Sequence, residues 1–145
     1  MKQRQRLYFA YGANLDRRSM GHRCPQAKIL STASLRGYRF AIEANGVATV
    51  VPDQLRAVHG ILWRLTPADV QNLDAFEGVH IGAYHRELVD VVPPSGSPTA
   101  ALIYISASSV PGKPRTGYLE KLIAAANDHG MPESYVTELL GWRIR

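Results

Sequence analysis

Tyr8-Phe-Ala-Tyr-Gly-Ala-Asn-Leu-Asp16 is the stretch that decides the fold, because an apolar, aromatic segment runs directly into a turn. Leu7 to Tyr11 has no helical period, which predicts a buried strand, and Asp16 to His22 follows as a short helix. Glycine lets the backbone approach a ligand closely, and the first amides of a helix have no partners within it. The turn therefore predicts a binding site for an anionic group.

A second informative segment, Leu73-Asp-Ala-Phe-Glu-Gly-Val79, carries one glutamate at the end of a predicted helix. Thr66 is a typical N-cap and Pro67 a typical first helical residue, so we expect a helix that runs to Glu77 and ends at Gly78. A carboxylate in the last turn lies near the negative end of the helix dipole, and partial burial disfavours its charge further. We therefore expect the pKa of Glu77 to be raised, and interpret it as a general acid/base and not as a surface glutamate.

The remaining sequence predicts a mixed α+β domain. Strand patterns cover residues 27–37, 39–42, 48–52, 58–65, 84–92 and 100–105, with a turn expected at Gly37 and a hairpin joining the last two. An amphipathic pattern predicts a helix over 116–129, a short helix follows Pro132, and Trp142 is expected to pack back on the body. We expect a single domain over 1–145. Because strands and helices do not alternate, we expect it to contain a small mixed, barrel-like β-sheet with flanking helices.

Composition sets the broad class of this protein. A chain of 145 residues with 46% hydrophobic residues is long enough to bury a core as one domain. The single cysteine, Cys24, excludes an internal disulfide framework, so we expect a reducing compartment, the cytoplasm. No apolar run approaches the roughly 18 residues needed to cross a bilayer, and the N-terminus lacks the apolar core of a signal peptide. A soluble protein is predicted.

The charge of +5 is unevenly distributed, since residues 1–39 carry nine Lys or Arg against one acid, Asp16. Such asymmetry raises the question of nucleic-acid binding. The basic residues are dispersed, however, and no helix-turn-helix, zinc-finger or RNA-recognition signature is present. We therefore expect a solvated basic face that attracts anionic ligands, and keep nucleic-acid association as a third interpretation.

The common catalytic motifs are missing. Gly-x-Ser-x-Gly, a Walker loop and Gly-x-Gly-x-x-Gly do not occur, and no histidine pair has metal-ligand spacing. We expect neither a metal nor a cofactor, and interpret His80 and His85 as surface residues and Cys24 as a buried filler. One carboxylate suits a reaction whose nucleophile is tethered to the substrate, because the protein then supplies only positioning and proton transfer.

Tyr11-Gly-Ala-Asn14 and Glu77-Gly-Val79 resemble the two marks of the γ-glutamylcyclotransferase (AIG2-like) family, a Tyr-Gly-x-Asn loop after the first strand and a Glu-Gly-Val segment. Three further segments are similar to the family's central strand, the start of its next strand and its late helix: Val58 to Trp63, Gly82 to Tyr84, and Tyr118 to Pro132. The resemblance implies cyclisation of a γ-glutamyl group to 5-oxoproline with release of an amine or amino acid. Its partner is a small γ-glutamyl substrate, with no nucleic acid and no membrane.

The resemblance also implies the site. Glu77 corresponds to the family's base, and the expected substrate-binding residues are Tyr8, Tyr11, Gly12, Ala13, Asn14, Tyr84 and Tyr118. Tyr84, and less so Arg86, is expected to wall the glutamyl pocket, although Tyr84 fits a core position equally well. The family often has serine where this chain has Ala13, so a hydroxyl contact is lost. The alternative is a non-catalytic module of the same fold that binds a small carboxylate.

Overall fold

The computed structural model describes residues 6–144, which contain five strands and four α-helices. In chain order they are β1 (Arg6–Ala10), α1 (Arg17–Arg23), β2 (Lys28–Ile42), β3 (Ala48–Leu65), α2 (Pro67–Phe76), β4 (Tyr84–Val91), β5 (Thr99–Ser106), α3 (Tyr118–Asp128) and α4 (Glu133–Leu140). Short 3-10 turns cover Ala13–Leu15, Val79–Ile81 and Gly141–Ile144. No helix in this range is long and apolar enough to span a membrane.

The strands form one mixed sheet in the order β2-β3-β1-β5-β4. Only β1 and β5 run parallel, and the other neighbours are antiparallel. β1 lies at the centre, where the side chain of Phe9 is fully buried, as its apolar run predicts. The predicted mixed α+β class is confirmed, but the sheet is open, not barrel-closed. Ser34 of β2 and Val92 after β4 form one isolated bridge, which joins the two edges at a single point.

The strands predicted at 27–37 and 39–42 form one long strand, β2, and those predicted at 48–52 and 58–65 form another, β3. The turn expected at Gly37 is wrong, because Gly37, with φ +85°, lies in a register shift inside β2. Pairing with β3 jumps there from Arg36–Ala57 to Tyr38–Pro52, so β3 accommodates the irregularity and continues. A positive φ in glycine is typical of a β-bulge, which bends a strand without ending it. The separate strands predicted at 48–52 and 58–65 are likewise the two ends of β3.

Other predictions at the level of elements are confirmed. β4 and β5 form the expected hairpin, and α4 follows Pro132. Trp142 is buried and meets Phe40 edge to face, with ring centroids 6.4 Å apart, so the C-terminal end of the chain packs on the body. The helix predicted to run through Glu77 ends one residue earlier, at Phe76, and Glu77 is its C-cap.

Candidate active site

A cavity of about 590 Å³ lies where the end of β1, the end of α2, the start of β4 and the first turns of α3 meet. All eight residues selected from the sequence line it: Tyr8, Tyr11, Gly12, Ala13, Asn14, Glu77, Tyr84 and Tyr118. They come from four separate parts of the chain. The fold therefore brings together the two segments that the sequence analysis singled out, and gives them a space large enough for a small molecule.

The loop after β1 is a 3-10 turn at Ala13–Leu15 and not the first turn of an α-helix. Leu15 N–H donates to Gly12 C=O at 3.0 Å, and Asp16 then caps α1 by accepting from Ser19 N–H at 3.0 Å. Gly12 has an ordinary negative φ, so its absent side chain matters for space. A Cβ there would lie 3.2 Å from both Ala48 Cβ and the Tyr118 hydroxyl, so the glycine lets the loop approach these groups.

Asn14 holds this loop in place. Its Nδ2 donates to the Tyr8 hydroxyl at 3.0 Å, its Oδ1 accepts from Arg23 at 2.6 Å, and its backbone C=O accepts from Trp63 Nε1 at 3.2 Å. The residue is only 2% exposed. Because both ends of the side-chain amide have protein partners, the contacts of Asn14 position the loop.

Arg23 is one of the residues of this site that the sequence analysis did not select. It lines the cavity, donates to Asn14, and stacks its guanidinium 3.7 Å above the ring of Phe76, the neighbour of Glu77. A stacked guanidinium is a cation–π contact, which fixes the charge in place. No sequence feature distinguishes Arg23 from the other basic residues near the N-terminus, since its role depends on α1 packing against α2.

Glu77 lies at the end of α2, which begins with a reciprocal capping box between Thr66 and Asp69. Its backbone N–H donates to Leu73 C=O at 2.8 Å, and Gly78, with φ +65°, turns the chain away in the left-handed conformation that favours glycine. The carboxyl is partly buried in the cavity wall, and within residues 6–144 it accepts no hydrogen bond.

Burial raises the pKa of Glu77 to about 7, against a smaller lowering effect of the Arg23 guanidinium. Desolvation disfavours the carboxylate, while a nearby cation favours it. A carboxyl with such a pKa exchanges its proton readily at neutral pH, as a general acid/base must. The expected upward direction is confirmed, and its main cause is burial.

Four tyrosines surround Glu77. Burial raises the pKa of Tyr8, Tyr11, Tyr84 and Tyr118, and the Glu77 carboxylate raises each of them further. For Tyr118 the resulting pKa is about 12. All four therefore remain protonated at neutral pH and act as hydroxyl groups. Tyr84 lines the cavity and also packs against the hydrophobic core.

Arg86 lies outside the cavity lining. It pairs with Asp74 at 3.2 Å, and Asp74 accepts from the Tyr104 hydroxyl at 2.7 Å, so Arg86 reaches the cavity only through two other residues. Two histidines near Glu77 also stand apart from the lining: His80 is exposed, and His85 is exposed beside Glu87 at 2.7 Å.

Cys24 is a buried residue without nucleophilic character. Burial raises the pKa of its thiol to about 12, and the sulfur donates to Asp69 C=O at 3.5 Å. A thiol in this state is not a nucleophile at neutral pH. Within the described part of the chain, no group of three or more His, Cys, Asp or Glu residues has the arrangement of a metal site.

Comparison with known proteins gives consistent matches. The model of the AIG2-like family matches residues 57–139. γ-Glutamylcyclotransferase of Mus musculus is 26% identical over 143 residues, covering 92% of this chain and 76% of that protein. The Bos taurus protein of the same name is 28% identical over 145 residues, with the same coverage. A solved structure described as γ-glutamyl cyclotransferase superposes with a TM-score of 0.88 at 25% identity, covering 94% of this chain and 86% of that one.

Proposed function

Because the chain belongs to the AIG2-like family, we propose that it is an enzyme, a γ-glutamylcyclotransferase that releases 5-oxoproline and an amine or amino acid. The observation that carries the proposed mechanism is Glu77, a partly buried carboxyl with a pKa of about 7 in the wall of a ligand-sized cavity. Among residues 6–144, the only other carboxylate that lines the cavity is Asp16, which caps α1 and has a lowered pKa, so we assign both proton transfers to Glu77.

The reaction requires no external nucleophile. The α-amine of the substrate attacks its own γ-carbonyl carbon, the new C–N bond closes a five-membered ring, and the bond to the leaving nitrogen breaks. Glu77 takes one proton from the α-ammonium, which frees the amine to attack, and gives it to the leaving nitrogen as the bond to that nitrogen breaks. The second proton, which the ring nitrogen loses as it becomes an amide, passes through the same carboxylate to the released amine, so the carboxylate ends as it began. A tethered nucleophile supplies an effective molarity on the order of 10⁵ M or more, which leaves the protein to position the chain and carry the proton.

The loop at Gly12–Asn14 holds either the substrate's carboxylate or the oxyanion that develops on the γ-carbonyl in this mechanism. Ala13 lacks the hydroxyl that serine would supply at this position. The loop therefore offers one direct donor fewer than a loop with serine, and other cavity groups contribute. Arg23 is a candidate, since its guanidinium lines the same cavity and is already fixed by Asn14 and Phe76.

The proposal is tested with Glu77→Gln, which keeps the size of the side chain and removes the titrating group. We expect 5-oxoproline release from a panel of γ-glutamyl donors to fall by about 10³-fold or more while the circular dichroism spectrum stays unchanged. Glu87→Gln is the matched control, because Glu87 is an exposed glutamate on β4 outside the cavity. Full activity in the Glu77 variant would refute its role.

The second candidate function is a non-catalytic module that binds a small carboxylate. Ala13 favours it, because the family hydroxyl is missing while the cavity and its cations remain. Titration calorimetry separates the two: a binding module gives heats with γ-glutamyl compounds and no 5-oxoproline in the recovered sample. Product formed by the wild-type chain and not by Glu77→Gln would exclude it.

A further inference from the structure

Ala48, the first residue of β3, forms backbone hydrogen bonds with the hydroxyls of two cavity tyrosines. It donates to one and accepts from the other. Its N–H donates to the Tyr118 hydroxyl at 3.0 Å, and its C=O accepts from the Tyr84 hydroxyl at 2.7 Å. A backbone N–H can only donate and a carbonyl can only accept. The hydroxyl hydrogen of Tyr84 is therefore used by the protein, whereas that of Tyr118 is not.

The backbone N–H of Ala13 also lies near the Tyr118 hydroxyl and acts to lower its pKa. Within residues 6–144, no group accepts the hydrogen of Tyr118. The same oxygen lies 3.2 Å from the position that a Cβ on Gly12 would occupy, so it sits against the loop that faces the substrate. Its free hydrogen is thus a donor available to a ligand beside that loop.

Two further tyrosines of the cavity show the same division. Arg23 can only donate to Asn14 Oδ1, so the Asn14 amide must present Nδ2 to Tyr8, whose hydroxyl then accepts and keeps its own hydrogen free. Tyr11 donates to Tyr104 C=O at 2.5 Å, as Tyr84 does to Ala48. Five tyrosines line the cavity: Tyr8 and Tyr118 have a free hydrogen, whereas Tyr11, Tyr84 and Tyr104 donate theirs within the protein, Tyr104 to Asp74 at 2.7 Å.

We propose that Tyr118 is a catalytic residue that donates its hydrogen to the γ-carbonyl oxygen during attack, while Tyr84 accepts from the α-nitrogen of the substrate. The inference rests on the proposed function. As the C–N bond of the ring forms, an electron pair moves onto the carbonyl oxygen, and the Tyr118 hydrogen bond stabilises that charge without proton transfer. The pair returns when the bond to the leaving nitrogen breaks, and Glu77 delivers the proton to that nitrogen.

The test compares Tyr118→Phe with Tyr84→Phe, which are matched because each removes one hydroxyl and one bond to Ala48. Loss of a donor to a developing oxyanion lowers kcat by about 100-fold, so we expect this for Tyr118→Phe with little change in KM. Tyr84→Phe should raise KM about tenfold and change kcat less. Equal effects of the two variants on kcat would overturn the inference.

An amine-free ligand gives a second readout. Glutaric acid monoamide keeps the carboxylate and the γ-carbonyl but lacks the α-nitrogen, so it cannot cyclise. Its Kd, measured by calorimetry, should stay within about twofold in Tyr84→Phe, because the group that Tyr84 contacts is absent. Weakening of this ligand by Tyr84→Phe as large as the rise in substrate KM would overturn the assignment.

A third variant preserves packing if the phenylalanine variants unfold. 3,5-Difluorotyrosine incorporated at position 118 keeps the ring and its oxygen but ionises at lower pH. With difluorotyrosine at position 118 we expect kcat to fall at alkaline pH, because ionisation of the hydroxyl removes the hydrogen-bond donor. With difluorotyrosine at position 84 we expect no such fall. If the wild type is active but the variants at positions 118 and 84 have the same pH profile, the inference is overturned and the proposed function stands. A wild type that forms no 5-oxoproline from any γ-glutamyl donor would overturn the proposed function as well.

Discussion

Two opposing effects act on the pKa of Glu77, and their balance sets the pH at which its carboxyl ionises. Burial raises its pKa, and the Arg23 guanidinium lowers it. Arg23 is itself immobilised between Asn14 and the ring of Phe76, so its distance from the carboxyl is fixed by the fold. At the scale of single residues, the site is thus a carboxyl that burial holds near neutrality and a cation that keeps it from rising further.

The first prediction concerns Arg23→Gln. Without the cation the pKa of Glu77 rises, and because the base must be ionised, the acid limb of kcat/KM should move up by roughly one pH unit. Arg17→Gln is the control on the same helix, since Arg17 is exposed and pairs with Asp128 at 3.1 Å. Arg23→Lys should restore the limb, because the charge returns. A limb that stays in place in Arg23→Gln would contradict the electrostatic role.

The second prediction concerns stability. A carboxyl whose folded pKa is about 7, against 4.5 when unperturbed, stabilises the fold below the lower value, and this contribution is lost as pH rises through 7. Glu77→Gln removes this pH dependence, so its free energy of unfolding relative to wild type should rise by roughly 2–3 kcal/mol between pH 4 and pH 8. Urea denaturation at both pH values measures this. A constant difference would mean that the pKa of Glu77 is unshifted.

At the scale of elements, periodicity located nearly every strand and helix but did not predict how far they extend. Gly37 looks like a turn in sequence, and only pairing with β3 makes it a bulge within β2. Asp53 to Arg56, polar apart from the exposed Leu55, separates two apolar runs and is skipped in the pairing with β2, yet β3 continues through it. Local patterns predict a break at such residues, whereas pairing between β2 and β3 on both sides of them keeps each a single strand.

The third prediction tests the turn that ends α2. Gly78→Ala and Gly82→Ala are matched, since both glycines have positive φ, +65° and +73°, and each alanine should cost about 1 kcal/mol. A Cβ at Gly78 would lie 3.1 Å from Ala83 Cβ, whereas a Cβ at Gly82 meets nothing within 4 Å. We expect both variants to melt at lower temperatures, Gly78→Ala at the lower of the two, with kcat falling about tenfold or more only for Gly78→Ala, which displaces Glu77. Equal activity of the two would show that this turn does not position the acid.

At the scale of the whole molecule, the sequence predicts which segments line the candidate site but not the tertiary contacts that hold them together. Tyr11 to Asn14 and Glu77 were selected from local motifs, and the fold brings both to one cavity. Ala48 gives no signal in the sequence, because it acts only through its backbone, and its position depends on the path of β3. Contacts of this kind arise from tertiary packing, so side-chain chemistry read along the chain does not identify them.

Several of the basic residues of the chain lie around the cavity. Arg115 and Lys121 are exposed and line the cavity together with the partly buried Arg23. Asp16 lines it as well, but its carboxylate already accepts two hydrogen bonds from Ser19 and lies 3.7 Å from Lys121. Cations therefore dominate the mouth, and a substrate that carries carboxylates is attracted toward the cavity.

The fourth prediction is a dependence of kcat/KM on salt. The screening length falls from about 30 Å at 0.01 M to about 8 Å at 0.15 M salt, so kcat/KM for γ-glutamyl amino acids should fall severalfold over this range. γ-Glutamylamines, which lack the second carboxylate, should respond less. Lys121→Ala should flatten the dependence, whereas Arg56→Ala should not, because Arg56 pairs with Glu138 outside the cavity lining. Steady-state rates at constant pH measure both slopes. If the slopes of the two variants coincide, the attraction comes from net charge alone and not from the cations at the mouth.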